Sequence, residues 1–137
     1  MWSRRQVIDY ALQRRAALES LQRASRVLES DPRDADPLLL RAAHHHGEQS
    51  HVACPLCCHG LVNLNYIFGE QLGQYSGRIK SSQELEAMQD EFGEFRVCVV
   101  EVCTECSWNH MIQTYLLGDG RKRRPPRRQK TVEDIYG

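Results

Sequence analysis

The chain has no long apolar run. Nothing in its 137 residues approaches the roughly 18 consecutive apolar side chains needed to cross a bilayer as a helix. Its N-terminus, MWSRRQVIDYALQRR, has no apolar signal core either. A cytoplasmic location is therefore expected, and in that reducing compartment cysteines serve as metal ligands or free thiols more readily than as disulfides. Also missing are a G-x-x-x-x-G-K-[ST] phosphate loop, a G-x-S-x-G turn and an H-E-x-x-H helix. The zinc-deaminase signature P-C-x-x-C puts its proline before the cysteine pair, whereas Pro55 lies inside Cys54–Cys57. Enzymatic activity is not expected. Apart from a recurring cysteine pair, nothing repeats at a period of 20 to 50 residues.

Net charge is absent too, but only in the sum. Residues 1–28 hold six arginines against Asp9 and Glu19, residues 29–118 hold five basic against thirteen acidic residues, and RKRRPPRRQK at 121–130 holds seven basic residues and no acid. Two basic ends thus flank an acidic body. The second end is expected to be a flexible tail, 119–137, because a segment so charged cannot bury enough apolar surface to fold. Its Arg121, Lys122, Arg123, Arg124, Arg127, Arg128 and Lys130 can contact nucleic-acid phosphates and release counterions. The basic run lacks aromatics, so the tail is not expected to stack on bases.

What is present reads as one α+β domain with an N-terminal helical region, 1–47. From Arg4 to about Glu29, Val7, Ala11, Leu18, Leu21 and Leu28 recur at helical spacing. Most arginines of that stretch lie off the stripe, while Arg14 falls inside it. Asp36-Pro37 is a helix start, and the helix that follows should end near Gly47. In LVNLNYIF, Val62, Leu64, Tyr66 and Phe68 alternate with Asn63 and Asn65, the pattern of a half-buried strand. Ser81 and Glu84 form a capping box opening an acidic helix. Phe95–Val102 is the strongest strand signal, through its β-branched density, and WNHMIQTYLL reads as a third strand.

The chemistry lies in two C-x-x-C pairs, Cys54 with Cys57 and Cys103 with Cys106, separated by 45 residues. A two-residue gap lets one tight turn present two sulfurs to a tetrahedral Zn²⁺ at about 2.3 Å, so two such turns complete a structural zinc site. A thioredoxin-type pair would open a helix, whereas CTEC is followed by strand-like residues. Of the remaining candidates, Cys58 could replace Cys57 if the turn shifted by one residue, and Cys98 reads as a packed small hydrophobe. His51, His59 and His110 lie near the pairs and could ligate or merely cover the site. The consecutive His44 to His46 cannot all face one metal, since neighbours on a helix point about 100° apart.

The four cysteines, with a strand on each side of CTEC, resemble the zinc ribbon, in which two knuckles clamp one zinc beside a three-stranded antiparallel sheet. The expected domain is 48–118, a ribbon-like sheet with an inserted helix, whose first knuckle lacks a convincing strand before it. The segments RRQVIDYALQRRA, DADPLLLRAA, HGE, CPLC and GEFRVCVVEVCTECSWNH are also similar to a family of small actinobacterial proteins of unknown function. That resemblance implies a zinc-ribbon protein with a helical extension and no assigned activity. The expected role is a non-catalytic zinc adaptor or regulator docking on a nucleoprotein machine such as RNA polymerase or the ribosome. The alternative is a protein-binding regulator with no nucleic-acid contact, its acidic body meeting a basic partner and TVEDIYG serving as a docking segment.

Overall fold

The computed structural model describes residues 4–23 and 33–118. The expected tail therefore lies outside the described residues, as do residues 24–32 of the first expected helix. The architecture is α+β: strand β1 (Arg5–Asp9), helices α1 (Ala11–Arg23) and α2 (Pro37–His46), strands β2 (Glu48–Ala53) and β3 (Gly60–Phe68), a kinked 3₁₀ segment (Glu70–Tyr75), helix α3 (Ser82–Met88), and strands β4 (Phe95–Val102) and β5 (Asn109–Leu117). The strands form one antiparallel sheet ordered β1-β5-β4-β3-β2. Among the described residues, no helix is long and apolar enough to cross a membrane.

Five strands replace the three expected, and both additions are edges. β1 lies where the helical stripe was expected to begin, but Val7 and Ile8 stay about half exposed. The segment is held by its backbone, with Arg5 opposite Leu116 and Ile8 opposite Thr114. Asp9 Oδ1 then accepts from the Ala11 amide at 2.7 Å, so the helix starts later than its apolar spacing suggests. β2, EQSHVA, escapes recognition because four of its six residues are exposed, none is buried and no apolar alternation marks it. It supplies the missing strand before the first knuckle.

The central strands match their sequence signals, and their side chains divide between two faces. On one face Val62, Leu64, Val100 and Val102 pack with Ala43 and Leu40 of α2. On the other, Ile67, Val97, Val99 and Tyr115 pack with Leu85 and Met88 of α3 and with Leu72. β3 is therefore covered on both sides. Asn65, expected to face water, is 7% exposed, while Phe68, expected inside, is 43% exposed. Asn65 tolerates burial because its Nδ2 donates to Glu48 Oε1 at 2.8 Å and to the Lys80 carbonyl at 3.2 Å.

Candidate metal centre

Each cysteine pair sits in the turn of a hairpin, CPLC between β2 and β3 and CTEC between β4 and β5. The two turns share one backbone plan. The Cys54 amide donates to the His59 carbonyl at 2.7 Å and the Cys58 amide to the Cys54 carbonyl at 3.0 Å. In the second turn Cys103 donates to Trp108 at 2.8 Å and Ser107 to Cys103 at 3.1 Å. The residue after each second cysteine, Cys58 or Ser107, adopts the left-handed conformation, with φ of 64° and 68°. That turn of the backbone curls both sulfurs of a pair to one side. Antiparallel pairing of β3 with β4, Val62 opposite Val102, sets the two turns side by side at one end of the sheet.

The result is a cluster of Cys54, Cys57, Cys103 and Cys106, whose sulfurs all lie within 4.8 Å of one another. Cys54 Sγ is 3.6 Å from Cys106 Sγ and Cys57 Sγ is 3.3 Å from Cys103 Sγ. Four sulfurs around a tetrahedral ion at about 2.3 Å would stand about 3.8 Å apart, so these residues fit a metal ion. Cys54 and Cys103 are buried, whereas Cys57 and Cys106 are partly open. Burial pushes the Cys106 thiol up to about 12; the Trp108 amide opposes this, and the other three cysteines add to it. Burial also works to raise Cys103, but the amides of Cys106 and Glu105 and the neighbouring thiols outweigh it and hold Cys103 below the ordinary thiol value. So many sulfurs at this distance cannot all ionise unless a cation compensates them. A chelated divalent metal is such a cation.

The remaining sequence candidates stand outside this cluster. Cys58 is exposed; Cys98 lies mid-strand in β4, opposite Tyr66 and Thr114. His59 Nδ1 is 3.3 Å from Cys57 Sγ and touches the site from its exposed side. The His110 ring is stacked on Trp108 at 5.9 Å, and its Nδ1 is 2.7 Å from the Met111 carbonyl, an acceptor to which it must donate. His51 lies exposed on β2, and His44 to His46 are exposed at the end of α2, in edge contact with one another.

Sequence reading missed the wall behind the cluster. Trp108 is fully buried and packs with Cys54, Leu61 and Cys103, and Ala17 and Leu18 of α1 close over them. The Trp108 Nε1 donates to Glu101 Oε1 at 3.1 Å, and Arg14 Nε of α1 pairs with the same oxygen. Glu101 is only 4% exposed, a buried carboxylate that needs such a partner. The signal was present: Arg14 is the arginine inside the apolar stripe, and Glu101 interrupts the β-branched run. The segment before α2 is tied to the second turn as well, through Ala35 N to the Ser107 carbonyl at 3.1 Å and Asn109 Nδ2 to Asp34 Oδ1 at 2.9 Å.

The model of a family of unknown function, DUF5318, matches residues 1–131. The chain belongs to the DUF5318 family. Its relatives include the uncharacterized protein Mb0050 of Mycobacterium bovis and the uncharacterized protein Rv0049 of Mycobacterium tuberculosis H37Rv. Each is 46% identical over 121 residues, covering 88% of both chains. These mycobacterial relatives agree with an actinobacterial family. No solved structure matches the chain.

Proposed function

We propose that this chain is a non-catalytic adaptor whose four cysteines hold one structural zinc ion. The observation that carries the reading is the closed donor set: four sulfurs within 4.8 Å, two of them buried, from two turns of matching backbone design. Structural zinc sites use all four positions for protein ligands, whereas a catalytic zinc leaves one for water or substrate. Four thiolates also suit iron, so the metal's identity is a matter for measurement. Elemental analysis should give one zinc per chain, and zinc lost with Cys103→Ser should be retained with Cys98→Ser. Iron in place of zinc, or no metal, rejects the assignment.

Docking on a nucleoprotein machine is the partner class that the charge distribution favours. The seven basic residues of 121–130 supply the phosphate contacts in this reading. Binding to an RNA or DNA duplex should weaken steeply with salt. Deleting 121–130 should reduce the slope of log K against log salt by roughly 0.7 to 0.9 for every phosphate no longer neutralised, with metal content unchanged. Absence of binding even at low salt turns attention to a basic protein partner, which the acidic body at 29–118 would suit.

A further inference from the structure

At the end of the sheet away from the cysteine cluster, Phe68, Arg96, Leu116 and Arg5 stand opposite one another on β3, β4, β5 and β1. Directly paired residues share a face. Here it is the face that α2 covers nearer the cysteine turns, at Leu64, Val100 and Val102. Beyond that cover lies an open groove of about 430 Å³, lined by Phe68, Glu70, Glu94, Phe95, Arg96 and Leu116. Its size falls within the roughly 300–1,000 Å³ of pockets that hold a ligand. Phe68 is exposed at its mouth, although the alternation of β3 would have placed that ring inside.

The cations around this groove are engaged. Arg5 Nη1 is 3.5 Å from Glu94 Oε2 and its Nη2 donates to the Gly118 carbonyl at 3.1 Å, while Arg96 Nη1 donates to Thr114 Oγ1 at 3.5 Å. Glu70, by contrast, has no ion pair or side-chain hydrogen bond among the described residues. A free carboxylate beside an exposed phenyl ring suits a guanidinium, which pairs through its edge and stacks through its face. The described residues end at the lip of the groove. Gly118, at φ 108°, lies so close that a Cβ there would stand 2.5 Å from the Gly93 carbonyl oxygen and 2.9 Å from Glu94 Cα. From that point the sequence continues DGRKRRPPRRQK, with Arg121 three residues beyond Gly118 and Arg128 ten. Ten residues span at most about 33 Å, so every arginine of the run can reach a groove whose wall includes Glu94.

We propose that this groove is a docking site for the chain's own basic segment, 121–128. An arginine of that segment pairs with Glu70, and Pro125-Pro126 packs on Phe68, as proline-rich peptides do in aromatic-lined grooves. A tether of a few residues sets an effective concentration in the millimolar range, so a contact too weak to hold a separate peptide is populated within one chain. Arginines held there are withheld from any other anion. The inference needs neither the metal nor a nucleic acid.

The test follows backbone amide resonances of the full chain, as purified, at about 20 mM and about 500 mM NaCl, between which the screening length shrinks from roughly 20 Å to roughly 4 Å. The reference is a full-length variant with all seven basic residues of 121–130 changed to glutamine. Salt should move the Phe68, Glu70 and Arg96 amides about threefold further in the unaltered chain than in that variant, because only there does it release a docked segment. Glu70→Gln should remove most of the difference. Glu86→Gln, the same charge change on an exposed carboxylate of α3 outside the groove, should leave it in place. An equal salt response in the unaltered chain and the glutamine variant, a response that Glu70→Gln leaves intact, or equal losses in Glu70→Gln and Glu86→Gln overturns the proposal. So does a response that grows with protein concentration between about 50 and about 500 μM, which would put segment 121–128 of a second copy in the groove.

Discussion

Cys58 and Ser107 occupy the same step of their two turns, and each holds a left-handed backbone that costs a residue with a Cβ about 1–2 kcal/mol relative to glycine. Cys58→Gly should therefore keep its metal and raise stability by up to about 1 kcal/mol in chemical denaturation, once glycine's greater unfolded-state entropy is deducted. Cys57→Ser, one residue earlier, should lose the metal. Equal metal loss in both variants would place the ligand at 58. Gly47 has the opposite sensitivity. An added Cβ would lie 2.4 Å from the Ala43 carbonyl and 2.7 Å from Val62 Cγ2. Gly47→Ala should then destabilise by about 1–3 kcal/mol, the usual range for overpacking, read from the denaturation midpoint. Of these features the cysteine spacing could be read from sequence because it is local. The crowding at Gly47 arises only where α2 meets β3, and no neighbouring residue announces it.

At the level of elements, α3 shows how a short helix is held. Ser81 Oγ accepts from the Glu84 amide at 3.1 Å and the Glu84 carboxylate accepts from the Ser81 amide at 3.0 Å. The Ser81 amide, ahead of the other causes, holds the Glu84 carboxyl below its ordinary value of 4.5. With the folded value depressed, the stabilisation is complete above the unfolded value and is lost as pH falls through the folded one. Glu84→Gln keeps a reciprocal acceptor but cannot titrate. Its melting temperature should fall less than that of the unaltered chain between about pH 5 and pH 3. α1 is held by different means, through Arg14 against Glu101. Arg14→Met strands a buried carboxylate with Trp108 as its remaining side-chain donor among the described residues. The expected cost is about 1–3 kcal/mol, discounted for the partial exposure of Arg14, with a changed Trp108 emission. The capping box and the β-branched run of β4 were open to sequence reading because residues close in the chain carry them. β1 and β2 were not, since edge strands here are specified by their pairing partners and need no apolar face of their own.

Across the whole molecule, the cluster joins two hairpins whose backbones pair along β3 and β4. A bound metal would link residue 54 to residue 106 in a loop spanning most of the sheet, so its removal should act on the entire fold. Chelation is expected to abolish the near-ultraviolet circular dichroism of Trp108 and lower the melting temperature in one cooperative step. A chelated protein that melts unchanged would show that the sheet and its three apolar clusters suffice. The acidic middle of the chain was visible in composition, but that Arg4 and Glu48 line one cavity was not, because only the folded sheet brings its two edges around the same face.

The sheet order has a temporal consequence. β1 leads the chain but pairs with β5, and Arg5 Nη2 donates to the Gly118 carbonyl across 113 residues. At about 5–20 residues per second, a ribosome needs roughly six to twenty seconds to deliver the partner after making the strand. During that interval α1 has neither Trp108 nor Glu101 to rest on, and the first cysteine pair has no second pair. The molecule therefore closes late, when its final hairpin emerges, and the hairpin that completes the sheet also completes the four-cysteine cluster.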